Sequence, residues 1–483
     1  MFHKPKPVSR RDLLFRAGEG IGGLALAYLL SQDGLLAADG CQNPPGVKSP
    51  FTPKAPHFKA RARNVISLFM CGGVSAVDTF DPKPALEKYH GQPLPGEGEV
   101  QVQQGYPGPI MRSPYKFRKY GQSGIEISQL FPNIGSVVDD IALIRSAVGR
   151  SNDHSISHFE WTTGALLPGS PSYGAWVAYG LGTANQNLPA FVVIFDTRGG
   201  PYNGPNNWGA GYLPAAYQGT AFRSVGDPIL DLRPPAEHLT VEEQRARLDL
   251  LAWLNQQHEE RYPGVSELSA RIASYELAYR MQGCAPETVD LSSESSETKR
   301  LYGLDQPVTE PFGRQCLMAR RLIERGVRFV QLWNGAYVND TVDTWDAHNS
   351  IVDNHGQHAA EVDKPIAGLL ADLKRRGLLD ETLVVWHTEF GRMPISQRGV
   401  GRDHNPNAFS IWMAGAGIKG GQVIGQSDDF GYKVVNQPIS VHDFHATVLA
   451  LLGIDHKRLT YFFNGRHMRL TDVHGEVIPQ IAG

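Results

Sequence analysis

The stretch from Val362 to His404, VDKPIAGLLADLKRRGLLDETLVVWHTEFGRMPISQRGVGRDH, limits what this chain can fold into more than any other part of it. Val362, Ile366, Leu369, Leu370 and Leu373 recur at i, i+4, i+7, i+8 and i+11, which makes one apolar stripe on a helix. Asp363 is placed to cap that helix, and Pro365 falls in its first turn, where a missing N–H costs little. Lys374, Arg375 and Arg376 suit the C-terminal turn, and Gly377 suits the left-handed position after it. A short turn, Leu378 to Glu381, leads into Thr382–Trp386, a run too short and too rich in β-formers for a second helix. Polar groups follow at once: His387, Glu389, Arg392, Asp403 and His404. In open α/β sheets, sites gather beyond the carboxyl ends of strands. One stretch thus points to a fold class and a site together.

The same alternation runs through the rest of the chain. Asn64–Met70 reads as a buried strand ending in Cys71-Gly72-Gly73, where two glycines permit a tight turn whose N–H groups can face an anion. Asp81, before Pro82, reads as a helix cap. Asp78 has no such structural role and is the better candidate ligand. Ile141–Arg145 and Ala190–Phe195 read as further strands, the first delivering the polar run SNDHSISH at 151–158 and a helix that ends at Gly164. Gly313–Gly326 reads as a helix and Val327–Trp333 as a strand, followed by Asp340, Asp343, Asp346, His348, His355 and His358. The last two read as solvent-exposed. Ala408–Met413 and Ser440–Leu452 close the series as strand and helix. Thr240 with Glu243 makes a capping box. Ser266 opens a second helix in the same region, roughly 236–300. This pair interrupts the alternation, either covering one side of the site or only decorating the packing. Repeated strand–helix pairs predict an α/β protein, a three-layer αβα sandwich on a mixed, mostly parallel sheet.

The N-terminus stands apart. Ser9-Arg10-Arg11-Asp12-Leu13-Leu14 is a twin-arginine pattern, followed by the apolar run Ile21–Leu30 and by Ala37-Ala38. The run is short for a membrane span. Residues 1–38 read as a twin-arginine signal peptide, 39–57 as a linker and 58–483 as a single domain, exported folded to the periplasm or beyond with no transmembrane span in the mature chain. The alternative is an amphipathic helix at this end. Cys41 offers a lipid-anchor site, although Asp39 fits a lipobox poorly. Four widely spaced cysteines without a C-x-x-C argue against a cysteine zinc site and leave a Cys284–Cys316 disulfide open. A net charge of −3 over 483 residues gives no reason to expect nucleic acid as a partner.

Four strand ends thus carry acidic and histidine residues: Asp78; Asp153 and His154; Asp346 and His348; Glu389 and His404. Asp346 and His348, two apart in an extended segment, point to the same side. Mixed carboxylate–imidazole sets suit zinc, manganese or iron more than calcium. Asp78, Asp346, His348, Glu389 and His404 form the predicted metal set, with zinc or manganese as the divalent ion.

LLADLKRRGLLDETLVVWHTEFG (369–391) and VHDFHATVLALLGID (441–455) resemble segments of the sulfatase/alkaline-phosphatase superfamily. GGVSAVDTFDPKP (72–84), FGRQCLMARRLIERGVRFVQ (312–331), WDAHN (345–349), EFGRMP (389–394), GRDHN (401–405) and LTDVHGEV (470–477) look like an exported, sulfatase-like bacterial family, domain of unknown function 1501. The resemblance implies a phosphatase-like fold, a strand-end metal site and hydrolysis of a sulfate or phosphate ester. It sets Glu389 where the superfamily has the aspartate of an Asp-His pair, with Phe390 in place of the second ligand. His404 looks like the later metal-binding histidine. The segment before Thr163-Gly164 lacks the superfamily's nucleophile motif: His154 falls at that position, and Ser155 is the nearest hydroxyl. Formylglycine chemistry is thereby disfavoured.

Two functions follow as expectations. The first is a metal-dependent hydrolase acting on a small-molecule or glycan ester, delivered by the twin-arginine machinery, with Ser155 or a water attacking and Arg392 or Arg402 stabilising the developing charge. The second is a non-catalytic envelope or glycan-binding protein, whose loop residues Tyr202, Trp208, Tyr212 and Tyr217 stack on sugars.

Overall fold

The computed structural model describes residues 50–95, 100, 102–103, 105–226, 229, 240–261, 266–338 and 341–483. The twin-arginine segment, Cys41 and Asp340 lie outside the described residues. No helix among the described residues is long and apolar enough to cross a membrane.

Eight strands form the main sheet: β1 (Asn64–Met70), β2 (Ile141–Ala147), β3 (Phe191–Ile194), β4 (Thr220–Phe222), β5 (Phe329–Asn334), β6 (Thr382–His387), β7 (Phe409–Gly415) and β8 (Gln422–Ile424). Their order is β8-β2-β7-β6-β1-β5-β3-β4. β1 pairs in parallel with β5 and β6, and β3 with β4 and β5. β7 runs antiparallel between β6 and β2, and β8 is parallel to β2. Seven strands therefore share one direction and β7 alone opposes them. Strands β5 and β6 are buried at every residue, as strands covered on both faces must be.

Seven longer helices matter here: α1 (His154–Thr163), α2 (Tyr173–Leu181), α3 (Val241–Arg261), α4 (Ser266–Val289), α5 (Glu310–Glu324), α6 (Ile351–Arg375) and α7 (Val441–Leu451). Neighbouring residues of β6 reveal the layers. The His387 ring meets Trp161 of α1 and Phe444 of α7, at 6.0 and 5.3 Å between ring centres. The Trp386 ring, on the opposite face, meets Phe80 at 5.2 Å, which stacks on Phe131. On that side α5 and α6 are joined by Arg320 and Asp372 at 3.1 Å. The result is the three-layer αβα arrangement on a mixed, mostly parallel sheet. Cys316 of α5 is a buried free thiol, not half of a disulfide.

Two local expectations change. Helix α6 starts at Ile351, capped by Ser350, and carries Pro365 inside it. The buried side chains Ile351, His355, His358, Val362 and Ile366 extend the apolar face upstream, and that burial outweighs the hydrogen bond a helical proline forfeits. Asp363 instead accepts N–H groups from Asn133 and Ile134, at the start of the short helix Pro132–Ser136. Likewise Asp81 caps nothing: it is buried and pairs with Lys83 at 3.1 Å.

The described residues within 50–229 and 283–483 make one compact unit, and those within 240–282 belong to another. Within the latter, the Thr240–Glu243 capping box forms as expected, and Arg245 of α3 joins Glu276 of α4 at 2.7 Å.

Candidate metal centre

The carboxyl ends of β1, β2, β5 and β6 and the amino end of β7 lie at one edge of the sheet. After β5, Trp345 hooks onto two strand ends: its N–H donates to the Cys71 carbonyl and its indole N–H to Asn334 Oδ1, both at 2.8 Å. That fixes Asp346. The two-residue ladder of Gly391–Arg392 with His404–Asn405 sets Arg392 opposite His404. The Arg402 N–H donates to the Ala347 carbonyl, tying this ladder to the Asp346 segment. After β2, Asp153 caps α1 by accepting from the Ile156 N–H at 3.0 Å. It thereby puts His154 and His158 on one helix face, one turn apart.

Four side chains converge. The Nε2 atoms of His348 and His404 lie 3.0 and 3.2 Å from Asp346 Oδ1, and His154 Nε2 lies 3.4 Å from Asp346 Oδ2. Each imidazole is anchored through its other nitrogen. His154 Nδ1 is 2.7 Å from Glu389 Oε1, His404 Nδ1 is 2.6 Å from the Asn152 carbonyl, and His348 Nδ1 contacts Gln397 Oε1. Acceptors at all three Nδ1 positions hold a ring proton there, so that in the neutral rings the Nε2 lone pairs face Asp346. The Nε2 atoms of His154 and His348 are buried without a hydrogen-bond partner. Lone pairs aimed at a carboxylate are repulsive unless a cation lies between them, so the donor set fits a metal ion. The ligand atoms of His154, Asp346 and His404 lie within 4.8 Å of one another, and those of His348, Asp403 and His404 form a second such group sharing His404.

Burial lowers His154, but Asp346 and Glu389 more than offset it and raise it, so an ion entering there displaces a proton. Burial alone would raise the Asp346 carboxyl, but the Arg392 guanidinium beside it holds it far below the usual carboxylate range. Burial opposes ionisation of Glu389 too, and His158 and His154 more than offset it. Burial, with Arg392 beside it, pushes His404 down to about 4, which keeps its ring neutral and ligand-competent. Phe390 lies against His404 and His154, at 4.4 and 4.9 Å between ring centres, and Tyr202 stacks on His154 at 5.5 Å. Aromatic walls of this kind keep water away and strengthen the interactions inside.

The predicted residues divide. Asp346, His348 and His404 come together, and Glu389 reaches the cluster through His154. Asp78 does not: its carboxylate is fully buried, accepting from Arg402 Nε and Nη2 at 2.6 and 3.2 Å and from Ser75 Oγ at 2.5 Å. Arg392 contacts Asp346 at 2.6 Å but spends its other donors on the carbonyls of Gly72, Gly73, Trp345 and Arg402. It works as a buried staple between segments. Ser155 Oγ donates to Asn203 Oδ1 at 2.5 Å, and Asn203 Nδ2 returns a bond to the Ser155 carbonyl at 2.7 Å. This clamp joins α1 to the 199–217 loop. In that loop Trp208 and Tyr217 are buried, so they present no stacking platform. His387 faces the helices, its Nε2 3.0 Å from Ser67 Oγ, and burial pushes it down to about 3. His355 and His358, expected at the surface, are buried; His355 Nε2 accepts the Ser75 N–H at 2.9 Å. His154 was the member missing from the predicted set, and His158, one turn on, backs Glu389. Their H-x-x-x-H spacing at a helix start is the signal that could have found them.

Gly72 is the hinge of the arrangement. Its N–H donates to Glu389 Oε1 at 2.7 Å, its φ is +112°, and a Cβ there would lie 2.5 Å from the N atoms of Trp345 and Asp346. Gly72→Ala is therefore expected to destabilise the protein by at least about 1–3 kcal/mol, read from the urea midpoint.

Residues 62–482 match the family model described as protein of unknown function (DUF1501). The chain belongs to the DUF1501 family. No curated protein matches it in sequence. Among solved structures it is similar to the PsFucS1 sulfatase from Pseudoalteromonas sp., at 14% identity and a TM-score of 0.34, covering 81% of this chain and 68% of that one. It is also similar to an alkaline phosphatase from the Antarctic bacterium TAB5, at 11% identity and a TM-score of 0.32, covering 76% and 94%. A third is the lipoteichoic acid synthase LtaP from Listeria monocytogenes, at 9% identity and a TM-score of 0.33, covering 87% and 78%. These are loose likenesses, and the fold of this DUF1501 chain stands on its own sheet order.

Proposed function

We propose that this chain is a metal-dependent hydrolase of sulfate, phosphate or phosphonate esters, with a small-molecule or glycan alcohol as the leaving group. The approach of three Nε2 atoms to the carboxylate of Asp346 carries this reading. His154, Asp346, His348 and His404 would hold the ion. Three nitrogens and one carboxylate suit zinc, with manganese next. Such an ion polarises an ester oxygen and lowers the pKa of a water it binds. The chain's own residues orient and enclose the centre: Asn152, Gln397 and Glu389 fix the rings, Arg392 locks Asp346, and Phe390 with Tyr202 excludes bulk water. With the Ser155 hydroxyl committed to Asn203, the attacking group is a water. Ser155→Ala is accordingly expected to cost about 0.5–1.5 kcal/mol of stability and to change the hydrolysis rate by no more than a fewfold.

The test joins elemental analysis to hydrolysis. Purified protein is expected to carry about one zinc or manganese ion per chain and to hydrolyse a nitrophenyl sulfate, phosphate or phenylphosphonate until a chelator is added. Protein free of transition metal, with any hydrolysis indifferent to chelator, would sink the reading and favour a binding role. Export by the twin-arginine route belongs to the same proposal and rests on Ser9-Arg10-Arg11. Replacing Arg10 and Arg11 together by lysine is expected to retain the protein in the cytoplasm, as cell fractionation would reveal.

A further inference from the structure

We infer that Glu389 is not a ligand of the ion but the carboxylate that positions His154. This rests on the metal-centre reading above. Glu389 Oε1 sits 2.7 Å from His154 Nδ1, whereas His154 Nε2 faces Asp346 across the ring. The two nitrogens of an imidazole point away from each other, so the ring itself separates Glu389 from the Nε2 side that faces Asp346. The rest of the Glu389 carboxylate is occupied by the protein. Oε1 also accepts the Gly72 N–H at 2.7 Å, and Oε2 accepts the Thr388 hydroxyl at 3.0 Å. His158 Nε2, one helical turn beyond His154, lies 3.3 Å from the same Oε1. The ends of β1 and β6 and the face of α1 thus grip one fully buried carboxylate.

His154 is also unlike its two companions. His404 Nδ1 leans on a main-chain carbonyl and His348 Nδ1 on the Gln397 amide oxygen, with Asp403 Oδ1 farther off at 3.7 Å, whereas His154 Nδ1 has a carboxylate oxygen at 2.7 Å. A carboxylate behind the imidazole fixes its tautomer and makes the opposite nitrogen a stronger donor to a metal. Glu389 thereby sets both the aim and the basicity of His154, and the His154 bond to the ion depends on it most.

Glu389→Gln and Glu389→Ala separate this role from ligation and from a merely structural one. One readout is the nitrogen-15 spectrum of histidine-labelled, metal-free protein, with His154 assigned by its loss in His154→Asn. The wild type is expected to show a downfield, exchange-protected Nδ1–H for His154. Gln, which keeps an acceptor oxygen, should retain it with a smaller shift, and Ala should lose it. The other readout is titration with Co²⁺, followed by its visible spectrum. Affinity is expected to fall about 10–100-fold in Glu389→Gln, with the same stoichiometry and a changed band pattern. Unchanged affinity and an unchanged His154 proton would overturn the inference. So would loss of ion stoichiometry with the His154 proton intact, because that is how a direct ligand behaves. If wild-type protein takes no Co²⁺, the metal-centre reading fails, and the metal-free spectra still decide whether Glu389 holds His154. If the alanine variant does not fold, the glutamine variant decides.

Discussion

Asp346→Asn should abolish ion binding and, with it, hydrolysis. The substitution keeps the shape and one acceptor for Arg392, so the fold should survive. It removes the one carboxylate, among the described residues, that all three Nε2 atoms approach. Losing Lewis-acid stabilisation of several kcal/mol corresponds to a rate loss of about a thousandfold or more. A binding measurement supports the kinetic one. An ion at a thousand times its dissociation constant stabilises the native state by about 4 kcal/mol. Chelator should therefore lower the melting temperature of the wild type and leave Asp346→Asn unmoved.

Asp78→Ala should fail in a different way. Asp78 and Arg402 are both fully buried, and Asp78 supplies the only carboxylate among the partners described for that guanidinium. Removing one member of a buried ion pair strands the other charge, at a cost of about 3–5 kcal/mol. Urea denaturation of Asp78→Ala should show a loss of that size, as should Arg402→Ala. The protein that remains folded should still bind its ion. A variant of near wild-type stability that had lost the metal would instead make Asp78 a ligand and contradict the ion pair described above.

The contrast between Asp78 and Asp346 explains how far the sequence could be read. Both are acids shortly after a strand, and nothing local separates them. What separates them is Arg402, 324 residues from Asp78 along the chain, a pairing that only the folded sheet edge creates. The strands and several helix ends were legible because their causes are local: the apolar run Leu383–Trp386 in β6, the Thr240–Glu243 box, and the glycine that ends α1. The start of α6 was misjudged because a local rule about Pro365 met a tertiary effect, the burial of Ile351, His355 and His358 upstream of it. Of the site, Asp346, His348 and His404 were legible as polar residues beyond strand ends. His154 was legible as a polar residue beyond a strand end but was left out of the metal set, because the helix that starts there was not read before Phe159 and its one-turn spacing from His158 was missed. Arg392 and Ser155 invited chemical roles that their hydrogen bonds fill structurally: main-chain carbonyls in one case, Asn203 in the other.

His154, Asp346, His348 and His404 are proposed to hold one divalent ion. Anomalous scattering from crystals grown with zinc, and separately with manganese, tests it most directly. A strong peak is expected at the metal edge about 2.0–2.2 Å from the three Nε2 atoms and an Asp346 oxygen, with Glu389 outside bonding distance. No peak at that point, or a peak coordinated by Asp78 instead, would contradict it.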